Sequence, residues 1–284
     1  MAHPSITAFA RLADGNTKAD RAIAGQNTLI TRTIHAVEYN PITDEIVVPQ
    51  LYLQGVLTFR GGADGDEAPI RVISGPATQI HGVLLRLGLD PVHEEIFIPL
   101  GSEILVFPSK ANGNVAPIRI IKGPDTLLGA SALTIDPVHD LLIVTGTRPG
   151  GGGGGGGGEA GANGRGQILI FNRTDSGNVK PRSVIYGPST KLNSTQLITT
   201  YPPKELILVA THANGRYDNN GETAFVGVWS EHDRGDVPPR WTIGGPYGIL
   251  RQTRGVALDP KHKIVIISDK YVNAVMTYSF PEIF

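Results

Sequence analysis

Short apolar runs rich in Val, Ile and Leu recur along the chain, each bounded by Gly, Pro, Asn or Asp; EIFIPL (95–100) and EILVF (103–107) are typical. No run continues into a sustained helical period, so the pattern predicts β-strands and no helix of consequence. Turn chemistry points the same way. An Asx-Pro step or a relative of it falls at Asn40-Pro41, Asp90-Pro91, Asp136-Pro137, Pro202-Pro203 and Asp259-Pro260. Proline presets φ for a turn, and the Asx side chain caps it.

A second pattern groups the strands into units. Five segments share one layout: ADGNTKADRAIAGQ, ADGDEAPIRVISGP, ANGNVAPIRIIKGP, DSGNVKPRSVIYGP and DRGDVPPRWTIGGP. Their first glycines are Gly15, Gly65, Gly113, Gly177 and Gly235, and a second follows ten residues later each time, at Gly25, Gly75, Gly123, Gly187 and Gly245. Successive segments lie 50, 48, 64 and 58 residues apart, a basic unit of about 49 with two insertions. Each unit reads as four short strands, and such units in series predict an all-β, β-propeller fold.

The chain opens with a third-type strand (ITAF, 6–9) and a fourth-type strand (RAIAG, 21–25). Four complete units follow, and first, second and third strands close it at AVMTY (274–278), 21 strands in all. Five blades close into one ring over residues 1–284 if RAIAG completes the last blade beside AVMTY. One strand, ITAF, is then left over. The rival is a six-bladed ring from a longer precursor lacking its first two strands here. The spare segment Ile6, Thr7, Ala8 and Phe9 is the expected assembly element, because an unpaired edge invites strand addition from a neighbouring molecule.

The last unit, RGVALDPKHKIVIISDKYVNAVMTYSF (254–280), resembles an NHL repeat, whose pattern runs GVAVDP…IYVAD…NRVQVF. The resemblance extends more loosely over nearly the whole chain, through ILVF, ILIF and the DPVH turns. It departs at the first turn, where DPVHEE, DPVHDL and DPKHKI replace Asp-x-x-Gly-Asn. It implies a propeller blade and selects no activity. Among NHL-like propellers are gluconolactonase-like enzymes with a channel metal, which makes a metal-dependent hydrolase the alternative to a non-enzymatic binding or assembly module. That alternative needs acids on the inner strands. Equivalent inner positions carry Glu38, Gly88, Thr134, Thr200 and Ala257, so Glu38 stands alone and catalysis is disfavoured. The resemblance to repeats of exported bacterial proteins also implies an extracellular or periplasmic setting.

Connections into the inner strands form a face that commonly binds ligands. It is expected to carry His35, Glu38, His212, Arg254 and Asp269, a set suited to a polar ligand or a protein loop. His93, His139 and His262 occupy one equivalent turn in different blades. They are expected to bond local backbone, not to share a metal. Arg21, Arg71 and Arg119 recur four residues before the second glycine and are expected to pair with turn acids such as Asp64 to Glu67.

Both insertions fall between second and third strands. The first (145–167) holds nine consecutive glycines, Gly150 to Gly158, read as a flexible surface loop and not a phosphate loop, since no Gly-Lys-Ser/Thr follows. In the second (211–224), Asp218, Asn219, Asn220 and Glu222 offer oxygen ligands for calcium, the one cofactor candidate; the same residue types are ordinary turn formers. Asn172 and Asn193 each begin an Asn-x-Thr glycosylation tripeptide.

Composition narrows the partners. Balanced charge, 25 Lys+Arg against 26 Asp+Glu, argues against nucleic acid, whose phosphates demand a basic surface. The 284 residues include no Cys, which removes disulfides and thiolate sites, and no run approaches the roughly 20 apolar residues that span a bilayer. The expected partners are therefore proteins, including copies of the chain itself.

Overall fold

A computed structural model describes residues 4–32, 34–148, 166–212 and 223–284. Among the described residues all the regular structure is β, apart from single 3-10 turns. The opening hairpin is β1 (Ile6–Ala8) and β2 (Arg21–Ile23). Four four-stranded sheets follow: β3 (Glu38–Asn40), β4 (Glu45–Gln50), β5 (Gly55–Arg60) and β6 (Arg71–Ser74); β7 (Gly88–Asp90), β8 (Glu95–Pro99), β9 (Glu103–Pro108) and β10 (Arg119–Lys122); β11 (Ala130–Asp136), β12 (Leu141–Thr147), β13 (Gly166–Asn172) and β14 (Ser183–Tyr186); β15 (Ser194–Tyr201), β16 (Leu206–His212), β17 (Phe225–Ser230) and β18 (Trp241–Gly244). A fifth sheet contains β19 (Thr253–Asp259), β20 (Ile264–Asp269) and β21 (Ala274–Ser279). Each is a meander of sequential strands, the blade of a β-propeller, and the blades number five.

β2 pairs with β1, Ile6 opposite Ile23 and Ala8 opposite Arg21, and the sheet that ends in β21 has three strands. The segment read as spare therefore already has a partner: a sequential hairpin forms with little loop-closure cost. The third strands β5, β9 and β13 are buried up to their last residue and β17 throughout, whereas β21 is exposed or half-exposed along its length.

The chain divides into two compact units, Met1–Ile96 with Phe107–Ile118, and Phe97–Val106 with Arg119–Phe284. In the first, Ile23, Ile30, Val48, Leu57, Phe59 and Ala63 form a core. In the second, Ile143, Ile168 and Ile170 pack with Ile198, Ile207, Val209 and the fully buried Trp229. Alternation along twisted strands supplies these faces, and their burial is the main stabilising term.

The repeated Asx-Gly-Asx segments join each blade to the one before it. Gly65 donates its N–H to the Ala22 carbonyl (2.8 Å) and accepts from Ala24 (2.9 Å), making a parallel bridge to Ile23. Gly113, Gly177 and Gly235 do the same at Ile73, Ile121 and Ile185. The following Asx side chain then caps the turn after the preceding unit's fourth strand: Asp66 accepts from Asn27 N–H (2.7 Å) and, at the starts of three 3-10 turns, Asn114 from Ala77 (2.7 Å), Asn178 from Asp125 (2.9 Å) and Asp236 from Ser189 (2.7 Å). This contact explains the second glycine. At Gly75, φ is 124° and a Cβ would stand 2.5 Å from Asn114 Oδ1, so only glycine lets the cap approach. Gly245 keeps the open φ, 112°, but nothing lies within 4 Å of its Cβ position.

One local expectation changes. Arg71 pairs with Glu45 of its own blade (2.7 Å) instead of a turn acid, Arg21 bonds the carbonyls of Gly61 and Ala63, and Arg119 bonds the Arg173 carbonyl (3.3 Å). Asp64 and Asp66 are occupied by the backbone amides of Ala22 and Asn27, which leaves them poorly placed for guanidinium groups.

Candidate functional site

In the second unit, three inner strands begin with a register shift, between Ala130 and Ala132, Thr195 and Ile198, and Thr253 and Gly255. A bulge re-aims the side chain it carries. Here the bulged residues meet one another. Ser131 Oγ lies 3.2 Å from Thr195 Oγ1, and Arg254 donates to Gln196 Oε1 at 2.9 Å. Gln196 in turn donates to Ser194 Oγ (3.2 Å), which lies 3.0 Å from His212 Nε2. Burial lowers the Arg254 guanidinium from its ordinary value, against an opposing effect of the Asp269 charge. His212 and Arg254, expected on one loop face, thus belong to one polar network. Asp269 instead builds a turn, its carboxylate accepting the N–H groups of Arg251, Gln252, Tyr271 and Val272 at 2.7 to 3.2 Å.

In the first unit His35 is exposed, and Glu38 lies on β3. Glu38 keeps part of its surface open, yet the protein mass around it raises its carboxyl to about 7 through desolvation. Among the described residues it joins no group of metal-ligating side chains. A shallow groove of about 740 Å³ runs beside β2, lined by Pro4, Leu29, Ile30, Thr31, Tyr52 and Leu53, surfaces suited to an apolar chain segment.

The turn histidines each face a side chain of their own turn. Nδ1 of His93, His139 and His262 faces its own turn's aspartate, Asp90, Asp136 and Asp259, at 2.8, 2.8 and 2.7 Å. The aspartate already caps that turn, so its second oxygen is the nearest acceptor for the ring. His139 has two further carboxylates near it. Glu231 Oε2 lies 3.8 Å from Nδ1, and Glu205 Oε1 lies 3.5 Å from Nε2. Burial, then the charge of Asp136, raises Glu231 to about 8; the hydrogen bond to Asp136 raises His139. Sequence reading missed this cluster, because Glu231 belongs to the next blade and no local motif announces it.

Asn172 is exposed and Asn193 is 2% exposed, so a glycan on the folded chain fits the former and not the latter. Asp218, Asn220, Glu222 and the polyglycine tract lie outside the described residues. No described helix is long and apolar enough to cross a membrane.

No family profile and no curated protein sequence matches the chain. Its fold is widely shared: 765 solved chains match it, a breadth that by itself selects no activity. One of them is hydrazine synthase of Kuenenia stuttgartiensis, with a TM-score of 0.60 at 13% identity, covering 93% of this chain and 68% of that one. The likeness shows the propeller fold. The chain is a β-propeller protein.

Proposed function

We propose that the protein is a non-enzymatic, NHL-like binding and assembly module that joins copies of itself by strand addition, the β1 edge of one molecule pairing with the β21 edge of the next. The observation that carries this reading is the exposure of β21, where every preceding full blade covers the equivalent strand with a fourth. Val275 on β21 is 70% exposed, and Phe9 beside β1 is 53% exposed. Edge addition breaks no existing pair, since β1 keeps β2 and β21 keeps β20. The contact joins unlike surfaces, so each added molecule presents a fresh edge until the assembly closes into a ring or runs on as a filament.

Light scattering and electron microscopy of the purified full chain test it. Oligomers or filaments that grow with concentration are expected, and both Val275→Lys and deletion of residues 1–12 should return the mass to that of a monomer. A wild-type chain that stays monomeric throughout, or assemblies unaffected by both changes, would overturn the reading.

A further inference from the structure

We propose that Asp136, His139 and Glu231 form a binding site for one divalent transition-metal ion of the zinc class, on the turn side of the second unit. Each residue offers one ligand atom, and these atoms lie within 4.8 Å of one another. Two carboxylates and one imidazole make a mixed oxygen and nitrogen donor set, suited to zinc and its neighbours in the first transition row.

The site is built, not gathered by surface chance. Asp136 is fully buried, its Oδ1 fixed by the N–H groups of Val138 (2.7 Å) and His139 (3.0 Å). Its Oδ2 is directed to His139 Nδ1. Glu231 is held by its own N–H, which donates to the Glu205 carbonyl at 2.9 Å. The Glu231 side chain is only 2% exposed, and its Oε1 has no hydrogen-bond partner among the described residues. A buried carboxyl oxygen without a donor, beside a second buried carboxylate, carries a large desolvation cost, which a bound proton or a metal cation taking its place offsets. The far side of the imidazole fits as well. Nε2 faces Glu205, the outer carboxylate that orients a metal-bound histidine and raises its basicity, and His232 fixes Glu205 in turn at 2.7 Å.

The repeat supplies its own comparison. The position of Glu231 is defined by that backbone bond, and its equivalents are Gly61, Ser109, Arg173 and Phe280, bonded to the carbonyls of Asp44, Glu94, Asp140 and Lys263. Only Glu231 is acidic. The Asp-His pairs at Asp90 and Asp259 belong to no such cluster among the described residues, so the turn alone does not account for the third ligand.

Calorimetric titration of the tag-free full chain with zinc, with cobalt absorption as a second readout, decides the matter. Saturation at one ion per chain and a raised melting temperature are expected. His139→Ala, at a side chain 35% exposed, should weaken binding roughly tenfold or more without loss of fold, and Glu231→Gln should do the same. His93→Ala and His262→Ala should leave binding intact. The proposal is overturned if the wild type takes up no ion, if His139→Ala binds as the wild type does, or if the two control variants lose binding equally.

Discussion

Replacing Glu38 by Gln isolates the cost of holding one carboxylate on an inner strand. Its folded-state carboxyl titrates at about 7 against an ordinary 4.5, and burial is the cause. A raised carboxyl binds its proton more tightly in the folded chain. Stability is therefore whole below pH 4.5, falls as pH rises, and has lost its full increment above about pH 7. At 1.36 kcal/mol per pH unit the loss has a ceiling of about 3 kcal/mol, and residual solvent contact places the expected value at about 2 kcal/mol. Glu38→Gln removes the titration and keeps the volume. Urea unfolding of both proteins from pH 4 to 9 should give a difference near zero at the acid end, growing in favour of the variant and levelling off near pH 7.5. A difference that does not change with pH would refute desolvation as the cause. A difference favouring the wild type at high pH would mean that the ionised carboxylate has a stabilising partner.

Gly75→Ala forces a Cβ against the Asn114 side chain at positive φ and should cost about 2 to 3 kcal/mol in urea unfolding. Gly245→Ala, where the space is open, should cost only the backbone strain of about 1 kcal/mol, and equal losses would sink the capping argument. Asp66→Ala removes the acceptor for Asn27 N–H and should cost about 1 kcal/mol by the same measurement; no change would show the bond to be idle. Trp229→Ala, at a fully buried position packed with Ile207 and Val209, should lose about 3 to 5 kcal/mol, seen as a lower melting temperature.

What the sequence revealed about the fold is local, and so is what it concealed. The ten-residue glycine interval and the Asx-Pro turns are short-range constraints, and strands and turns followed from them; Asp90 and Asp136 cap the turns as their position requires. The motif's deeper role was hidden because its partner lies in another repeat of the chain: nothing local tells that Asn114 exists to cap Ala77. A buried threonine three residues after the second glycine, at Thr28, Thr78, Thr126 and Thr190, bonds that glycine's carbonyl and was an available signal left unread. Strand counting expects 21 strands, the number among the described residues, and leaves the segment Ile6 to Phe9 spare, whereas β1 pairs with β2 in a hairpin whose partner choice no local pattern announces. The site residues fared similarly. Arg254 and His212 were legible as polar residues near strand ends, while Glu231 beside Asp136 required three dimensions.

Because each cap lies downstream of what it caps, the chain has a direction in time as well as in space. The interval between capped amide and capping side chain is 39, 37, 53 and 47 residues in successive units. At a synthesis rate of about 5 to 20 residues per second, a newly emerged blade waits roughly 2 to 10 s before its successor can seal it. During that interval its fourth strand and glycine corner stand open to whatever is nearby, including a neighbouring nascent chain on the same message.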